Sequence, residues 1–231
     1  MKRKSPVIRP VTLSLSKGDL YRASILRLCS GSARTVSIAA WMLFCLVASS
    51  FAATVLIDDF EDQTANKVGG RSNTYVMSPS RALAVKVTEG MHGGAKALMI
   101  KYDKKDKGGP YDSGGWCGYY TMVKTGPRYF DATPYQALTF WVKGETGEEH
   151  FVIGLADRHW DEVGDSVKSE EIGKYLPAGK ITKEWQKATV PLSVFMLEAK
   201  ELASVAVCFE GSVLPGGAGK GTITIDDMMF E

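Results

Sequence analysis

The apolar residues of this chain recur at every second position from Val55 onward. Leu83, Val85 and Val87, for example, fall on one side of an extended segment and their neighbours on the other. Clusters rich in glycine, proline and aspartate separate this run from further runs of the same kind. A period of two between polar turns is typical of antiparallel strands. The pattern predicts an all-β domain of about nine or ten strands, folded as a sandwich or a barrel.

The first part of the chain lacks this alternation. Residues 1–34 carry eight Lys or Arg against one acid, and residues 36–53 are uncharged and end in small residues. A basic flank, a short apolar run and a small-x-small end describe a secretory signal peptide, cleaved near Ala52. A membrane span is the alternative, but the strongly apolar part has about a dozen residues, whereas a crossing helix needs roughly 20.

We therefore interpret residues 1–52 as a leader and residues 53–231 as one domain. The leader is longer than an ordinary signal peptide, which suggests that the true start of translation lies further in. The sequence predicts a protein that is secreted or periplasmic and is not stably inserted in a membrane after cleavage.

Removal of the leader changes the formal net charge from +2 to −5, because residues 1–34 contribute +7 and residues 35–52 contribute nothing. A mildly acidic domain argues against nucleic acid as the partner. Two cysteines remain, Cys117 and Cys208. Both lie in apolar segments, and the sequence leaves open whether they form a disulfide or stay as buried thiols.

Several short segments occur in an order that resembles a known family. They are "LIDDFED" (56–62), "GGWCGYY" (114–120), "YQALTFWVKG" (135–144), "EWQKATVPLSVF" (184–195) and "TITIDDMMF" (222–230). Together they resemble the galactose-binding-like domains of secreted bacterial carbohydrate-binding modules, nearest the family 11 type. The resemblance covers nearly all of residues 54–231. It implies a single jelly-roll β-sandwich that binds polysaccharide, of the β-glucan type, with no catalytic activity.

Carbohydrate binding requires flat aromatic rings that stack on pyranose faces and polar groups that bond the hydroxyls. Trp116, Tyr119 and Tyr120 lie in one predicted strand, where Trp116 and Tyr120 point one way and Tyr119 the other. Trp141 and Trp185 lie within apolar runs, and we expect them in the core.

A second group of candidates lies in a charged loop after a strand: Asp157, Arg158, His159, Trp160 and Asp161. Packing in the core does not explain a tryptophan among charged residues, which favours a binding role for this loop. A Trp160 that merely packs on the surface is the alternative. From this loop we name Asp157, Arg158, His159 and Trp160 as carbohydrate-binding candidates.

Acidic doublets lie in both the first and the last predicted strands. The family resemblance implies a structural calcium ion near these strands, with Glu61 and Asp226 as ligands and Asp59 as a further candidate. Backbone carbonyls of residues 90–94 would complete the shell, since Ca²⁺ accepts six to eight oxygens. Solvated strand ends are the alternative interpretation of these acids.

No pair of carboxylates is singled out by spacing as a glycosidase acid and base. We therefore expect no catalysis, and a glycoside hydrolase on another chain is the partner that such a binding domain would serve. The alternative function is that of an envelope structural or protein-interaction domain, with the same fold and no sugar site.

Overall fold

The computed structural model describes residues 53–110 and 114–231, so the predicted leader lies outside the described residues. Within these ranges the chain forms eleven strands and one short α-helix. The strands are β1 (Val55–Asp58), β2 (Ser72–Val76), β3 (Arg81–Val87), β4 (Ala97–Lys104), β5 (Cys117–Met122), β6 (Ala137–Gly144), β7 (Val152–Asp157), β8 (Val167–Glu171), β9 (Gln186–Pro191), β10 (Leu202–Phe209) and β11 (Gly219–Phe230). The helix, α1, spans Arg158–Val163.

The strands form two antiparallel sheets. Sheet A has the order β3-β4-β11-β6-β9, and β1 pairs with β11 beside β4. Sheet B has the order β2-β5-β10-β7-β8. The fold is therefore an all-β sandwich, as predicted, and the first and last strands lie side by side in sheet A.

The core lies between the sheets and is built by alternation along each strand. In β6, Leu138, Phe140 and Val142 are fully buried in the core, while the residues between them face outward. In β10, Val205, Val207 and Phe209 do the same for sheet B. Fully burying such a side chain contributes about 1.5–3 kcal/mol, so these positions supply the main stabilisation of the sandwich.

A β-bulge interrupts the alternation in β11. Asp227 has a positive φ of 47°, and the pairing with β6 shifts between Asp226 and Met229. The extra residue puts Asp226 on the outer side of sheet A and returns Met228 and Phe230 to the core. Without the bulge, the carboxylate of Asp226 would share the apolar face of Met228.

The two cysteines of the domain are free. Cys117 is opposite Phe209 in the ladder between β5 and β10, and Cys208 is opposite Gly118. Cys117 belongs to the core, whereas Cys208 packs on the outer side of sheet B. Burial raises the pKa of Cys117 to about 12 and that of Cys208 to about 11, so both thiols stay protonated at neutral pH.

Among residues 53–110 and 114–231, no helix has the length and apolar character needed to cross a membrane.

Candidate functional site

The outer side of sheet B has a floor of small residues. Gly118, Gly154, Ala206 and Cys208 occupy its central strands, and their side chains or Cα atoms face away from the core. Ala206 is opposite Tyr120 on one side and Gly154 on the other. We call this surface, with the flanking Tyr75, Tyr120 and Lys168, the B face. Tyr75 covers Gly118, and Ser166 covers Gly154.

Tyr75 and Tyr120 project from neighbouring strands of the B face. Both are half-buried and pack against the cluster of Val152, Ala206 and Cys208. The phenol of Tyr75 lies over Gly118, where a Cβ atom would come within 2.6 Å of the Tyr75 hydroxyl oxygen. Burial raises the pKa of Tyr75 well above its ordinary value. The two rings are therefore held by packing on neighbouring strands of the B face.

Polar groups lie on the β8 side of this surface. The Lys168 ammonium group donates to Asp165 Oδ1 at 2.7 Å and to Ser166 Oγ at 2.8 Å, and it lies 3.7 Å from Glu210 Oε1. Ser166 also lies next to Gly154, where a Cβ atom would approach its hydroxyl to 2.4 Å. The B face thus combines aromatic rings with hydroxyl, ammonium and carboxylate groups, which suits a ligand that is flat and rich in hydroxyl groups.

The charged segment after β7 is a helix and not a loop. Asp157 caps α1 by accepting from the Trp160 N–H at 3.1 Å, and Gly164 ends the helix with φ of 79°. The other Asp157 oxygen accepts from the Glu198 N–H at 2.8 Å. Asp157 is 7% exposed, and both of its carboxylate oxygens accept hydrogen bonds from backbone N–H groups. Its prediction as a sugar-binding residue is therefore wrong.

The rest of α1 lies at one end of sheet B and forms ion pairs with neighbouring segments. Arg158 bonds Glu201 at 2.6 Å and lies 4.9 Å from the ring centre of Tyr129. Asp161 forms an ion pair with Lys124 and accepts from the Tyr129 hydroxyl at 3.2 Å. These contacts attach the helix to the segments that follow β5 and precede β10. Arg158 stays exposed and remains a candidate for contact with a ligand.

Two more residues of this predicted group are accessible. His159 is exposed and Trp160 is half-buried, and their rings meet edge to face at 5.4 Å between centroids. Both remain candidates for ligand contact at the end of sheet B. They lie in α1, whereas the B face is formed by the strands of sheet B.

The predicted aromatic strand divides between the two sides of the sheet. Tyr120 lies on the B face and Trp116, half-buried, precedes β5 on the same side by alternation. Tyr119 is 4% exposed and belongs to the core, so its assignment as a binding residue is wrong. The hydroxyl of a core tyrosine cannot reach a ligand on the surface, since the sheet lies between them.

Tyr75 and Lys168 are B-face residues that the sequence analysis did not name. Tyr75 lies in the short strand β2, which was not identified as a candidate, and Lys168 is separated from it by three strands. The signal that could have found Tyr75 is its place in a β-propensity run after a glycine-rich turn. Its proximity to Gly118 depends on cross-strand register.

Carboxylates from both acidic segments bind the same loop. Asp226 Oδ2 accepts from the N–H groups of His92 and Gly93 at 3.0 and 3.1 Å. Glu61 Oε1 accepts from the N–H groups of Ala95 and Lys96 at 2.6 and 2.9 Å. Carboxylates from both ends of the domain therefore hold the same segment, between β3 and β4.

The three predicted calcium ligands do not form one cluster of side-chain oxygens. Asp59 lies 3.0 Å from the Lys67 ammonium group. Within the described ranges, the one group of three or more His, Cys, Asp or Glu ligand atoms within 4.8 Å of each other is His92, Asp226 and Asp227. Of the predicted set, only Asp226 belongs to it. Glu61 and Asp226 each already accept backbone hydrogen bonds, which satisfy part of their need for positive partners.

Trp141 and Trp185 are not core residues, contrary to the prediction. Both are half-buried on the outer side of sheet A, because Phe140 and Val142 occupy the inward positions of β6.

Comparison with known proteins identifies the family. The family model described as "Carbohydrate binding domain 30" matches residues 57–231. The chain belongs to this family of carbohydrate-binding modules. The resemblance found in the sequence is thereby confirmed, and the domain binds carbohydrate as a module of this kind. No match was found among curated proteins.

Solved structures share the fold of this family 30 module. The family 11 module of a cellulosomal cellulase of Clostridium thermocellum has a TM-score of 0.57 at 14% identity, over 78% of this chain and 95% of that one. The same type of module in complex with a β-1,3-1,4-mixed-linked tetrasaccharide gives 0.56 at 13%, over 77% and 94%. The family 30 module of another cellulosomal cellulase of that organism gives 0.56 at 21%, over 78% and 97%.

Proposed function

We propose that the B face binds a β-glucan-type polysaccharide and that the module has no catalytic activity of its own. The observation that carries this proposal is the placement of Tyr75 and Tyr120 beside a floor of glycine and alanine. Tyrosine rings offer flat apolar area at a small entropic cost, and a polysaccharide chain lying across the strands would contact both rings. The polar groups around Lys168 supply partners for hydroxyl groups on the opposite margin.

The similar fold of a module that was solved with a mixed-linked tetrasaccharide supports this choice of substrate class. Mixed-linked β-glucan is therefore the first polysaccharide to test. A glycan chain is neutral, so affinity should come from stacking and hydrogen bonds and should depend little on salt.

The experiment is native gel electrophoresis of the purified protein in gels that contain soluble polysaccharides. Mixed-linked β-glucan, hydroxyethylcellulose, xylan and dextran would be compared at several concentrations. We expect mixed-linked β-glucan to retard the protein and dextran to have no effect. If no polysaccharide slows migration, the proposal fails, and a structural or protein-interaction role for the same fold gains support.

Calcium, export and an enzyme partner remain parts of the proposal. The calcium ion would be held near Asp226 and the loop between β3 and β4, where it would supply charge compensation for the carboxylates. The leader predicted in residues 1–52 would direct the module out of the cytoplasm. A glycoside hydrolase on another chain would act on the polysaccharide that the module holds.

A further inference from the structure

The outer side of sheet A carries a second aromatic cluster, remote from the B face because the core lies between the sheets. Trp141 is in β6, and Trp185 immediately precedes β9, its neighbour in the sheet. Neither ring belongs to a core cluster. Both tryptophans are half-buried, so each ring exposes only part of its apolar area to a ligand on the solvent-facing side of the sheet.

A histidine from another segment completes the cluster. The His92 ring stacks on Trp141 with 3.8 Å between centroids and 17° between planes. It also meets Trp185 edge to face at 5.8 Å. His92 Nδ1 lies 3.1 Å from Asp227 Oδ2, and the His92 side chain is 28% exposed. The ring is thus fixed and still reaches the surface.

The loop that presents His92 is held in place before any ligand arrives. The buried Asp226 carboxylate accepts from the His92 N–H, and Asp226 is also opposite Trp141 in the ladder between β11 and β6. Glu61 fixes the same loop a few residues further on. The acidic doublets therefore preorganise the aromatic cluster, which reduces the ordering cost of binding.

Charged groups border the rings. The Lys143 ammonium group lies 4.9 Å from the ring centre of Trp185. Lys187, which is opposite Trp141, bonds Glu231 at 2.7 Å. These groups, with Asp227, provide donors and acceptors around an apolar centre, which is the arrangement that a sugar requires.

We propose that His92, Trp141, Lys143 and Trp185, which we call the A face, form a second carbohydrate-binding site. It takes a pyranose ring of a second polysaccharide chain, so one module would hold two chains on opposite sides. The ligand class rests on the function proposed for the B face.

The size of the A face favours a glycan over a protein. A stable protein interface buries about 800 Å² on each partner, with some 20–30 residues. The three rings and their charged border offer only part of that area, which matches one or two sugar rings. Partly exposed rings with a polar border also suit weak, repeated contacts along a polymer.

Isothermal titration of the purified protein with a β-1,3-1,4-mixed-linked tetrasaccharide tests this inference. We expect saturation at about two tetrasaccharides per chain, falling to about one in Trp185→Ala and to about one in Tyr120→Ala. Lys143→Ala is a second A-face variant that keeps the rings, and it should weaken the A-face site about tenfold or more. Leu83→Ala is the matched control, because Leu83 is 55% exposed on sheet A and lies outside the A face.

The outcomes separate the two proposals. If Trp185→Ala and Lys143→Ala bind as the wild type does, while Tyr120→Ala loses all binding, the A face is not a site and the B-face proposal stands. If Tyr120→Ala has no effect and Trp185→Ala removes binding, the A face is the site and the B-face proposal fails. A melting curve for each variant shows whether the protein is folded, and turbidity of long-chain β-glucan, which requires both sites, should disappear in either single variant.

Discussion

Tyr119 and Tyr120 are consecutive residues of β5, but they lie on opposite sides of sheet B. Tyr119 is 4% exposed in the core, and burial, the main cause, raises its pKa well above the ordinary value. Tyr120 packs on the outer side beside Ala206. Substitutions of these two adjacent residues should therefore have different effects: Tyr119 contributes to stability, and Tyr120 contributes to binding.

We expect Tyr119→Ala to lower the free energy of unfolding by about 3–5 kcal/mol, because it opens a cavity in the core. Tyr120→Ala should cost much less stability and should weaken retardation by mixed-linked β-glucan, leaving only the binding that the A face contributes. Chemical denaturation and affinity gels on both variants measure the two effects. Equal losses of binding per folded molecule in the two variants would contradict the assignment of Tyr120 to the site.

Gly118 is a position where the B face tolerates no side chain. A Cβ atom there would lie 2.2 Å from the Val207 carbonyl oxygen and 2.6 Å from the Tyr75 hydroxyl oxygen. Gly118→Ala should therefore destabilise the fold by about 1–3 kcal/mol and displace Tyr75, which weakens glucan binding.

The matched control for this prediction is Gly126→Ala. A Cβ atom at Gly126 meets nothing within 4 Å, and only its positive φ of 58° is strained. We expect a cost in stability of about 1 kcal/mol and unchanged binding. A Gly118→Ala variant that binds and unfolds like this control would show that the close approach of Tyr75 is not needed.

The environment of Glu149 leads us to expect that the stability of the fold depends on pH in the acidic range. Burial raises its pKa, but donors from Thr146 at 2.7 and 2.9 Å and from Gly147 at 2.8 Å outweigh that effect, so its pKa lies below the ordinary value of 4.5. A lowered pKa in the folded state stabilises the protein above the unfolded-state value, and this contribution is lost as the pH falls through the folded-state value.

Glu149→Gln should accordingly lower the free energy of unfolding by about 1–3 kcal/mol at neutral pH. The difference from the wild type should shrink as the pH falls below 4.5, where the wild-type carboxyl takes up its proton. Urea unfolding at a series of pH values measures this. A difference that stays constant across the series would mean that Glu149 acts through its shape and not through its charge.

The calcium prediction is tested by chelation. A metal bound only to the folded state stabilises it by mass action, so a chelator should lower the melting temperature of the wild type. Asp226→Asn should not respond to the chelator. A variant that still responds would place the ion elsewhere, and a wild type without response would mean that the N–H groups of residues 92–96 are sufficient partners for the carboxylates.

Much of the fold could be predicted from alternation alone. The period of two gave the strands and separated Tyr119 from Tyr120, but it did not say which side faced the core. The same alternation places Trp141 on the outer side of β6, because Leu138, Phe140 and Val142 face the core from the positions around it. The apolar character of the run outweighed that signal in the sequence analysis. The cap residues Asp157 and Gly164 likewise bracketed α1, although so short a helix has no clear helical period.

The site could be predicted only in part, because it depends on register between distant strands. Tyr75 meets Gly118 through the pairing of β2 with β5, and His92 reaches Trp141 through a loop held by Asp226. Such contacts join residues more than 40 positions apart, and no local pattern specifies them. The acidic doublets were recognised as needing partners, and the partners that the structure supplies are backbone N–H groups.

The most direct test of the central claim is a titration of the isotope-labelled protein with the mixed-linked tetrasaccharide, followed by nuclear magnetic resonance. The account predicts that the amide signals of Tyr75, Gly118, Tyr120, Ala206 and Lys168 shift progressively and saturate together. Signals of core residues such as Tyr119 should move less. A protein that binds the tetrasaccharide with no change in these B-face signals would contradict the account.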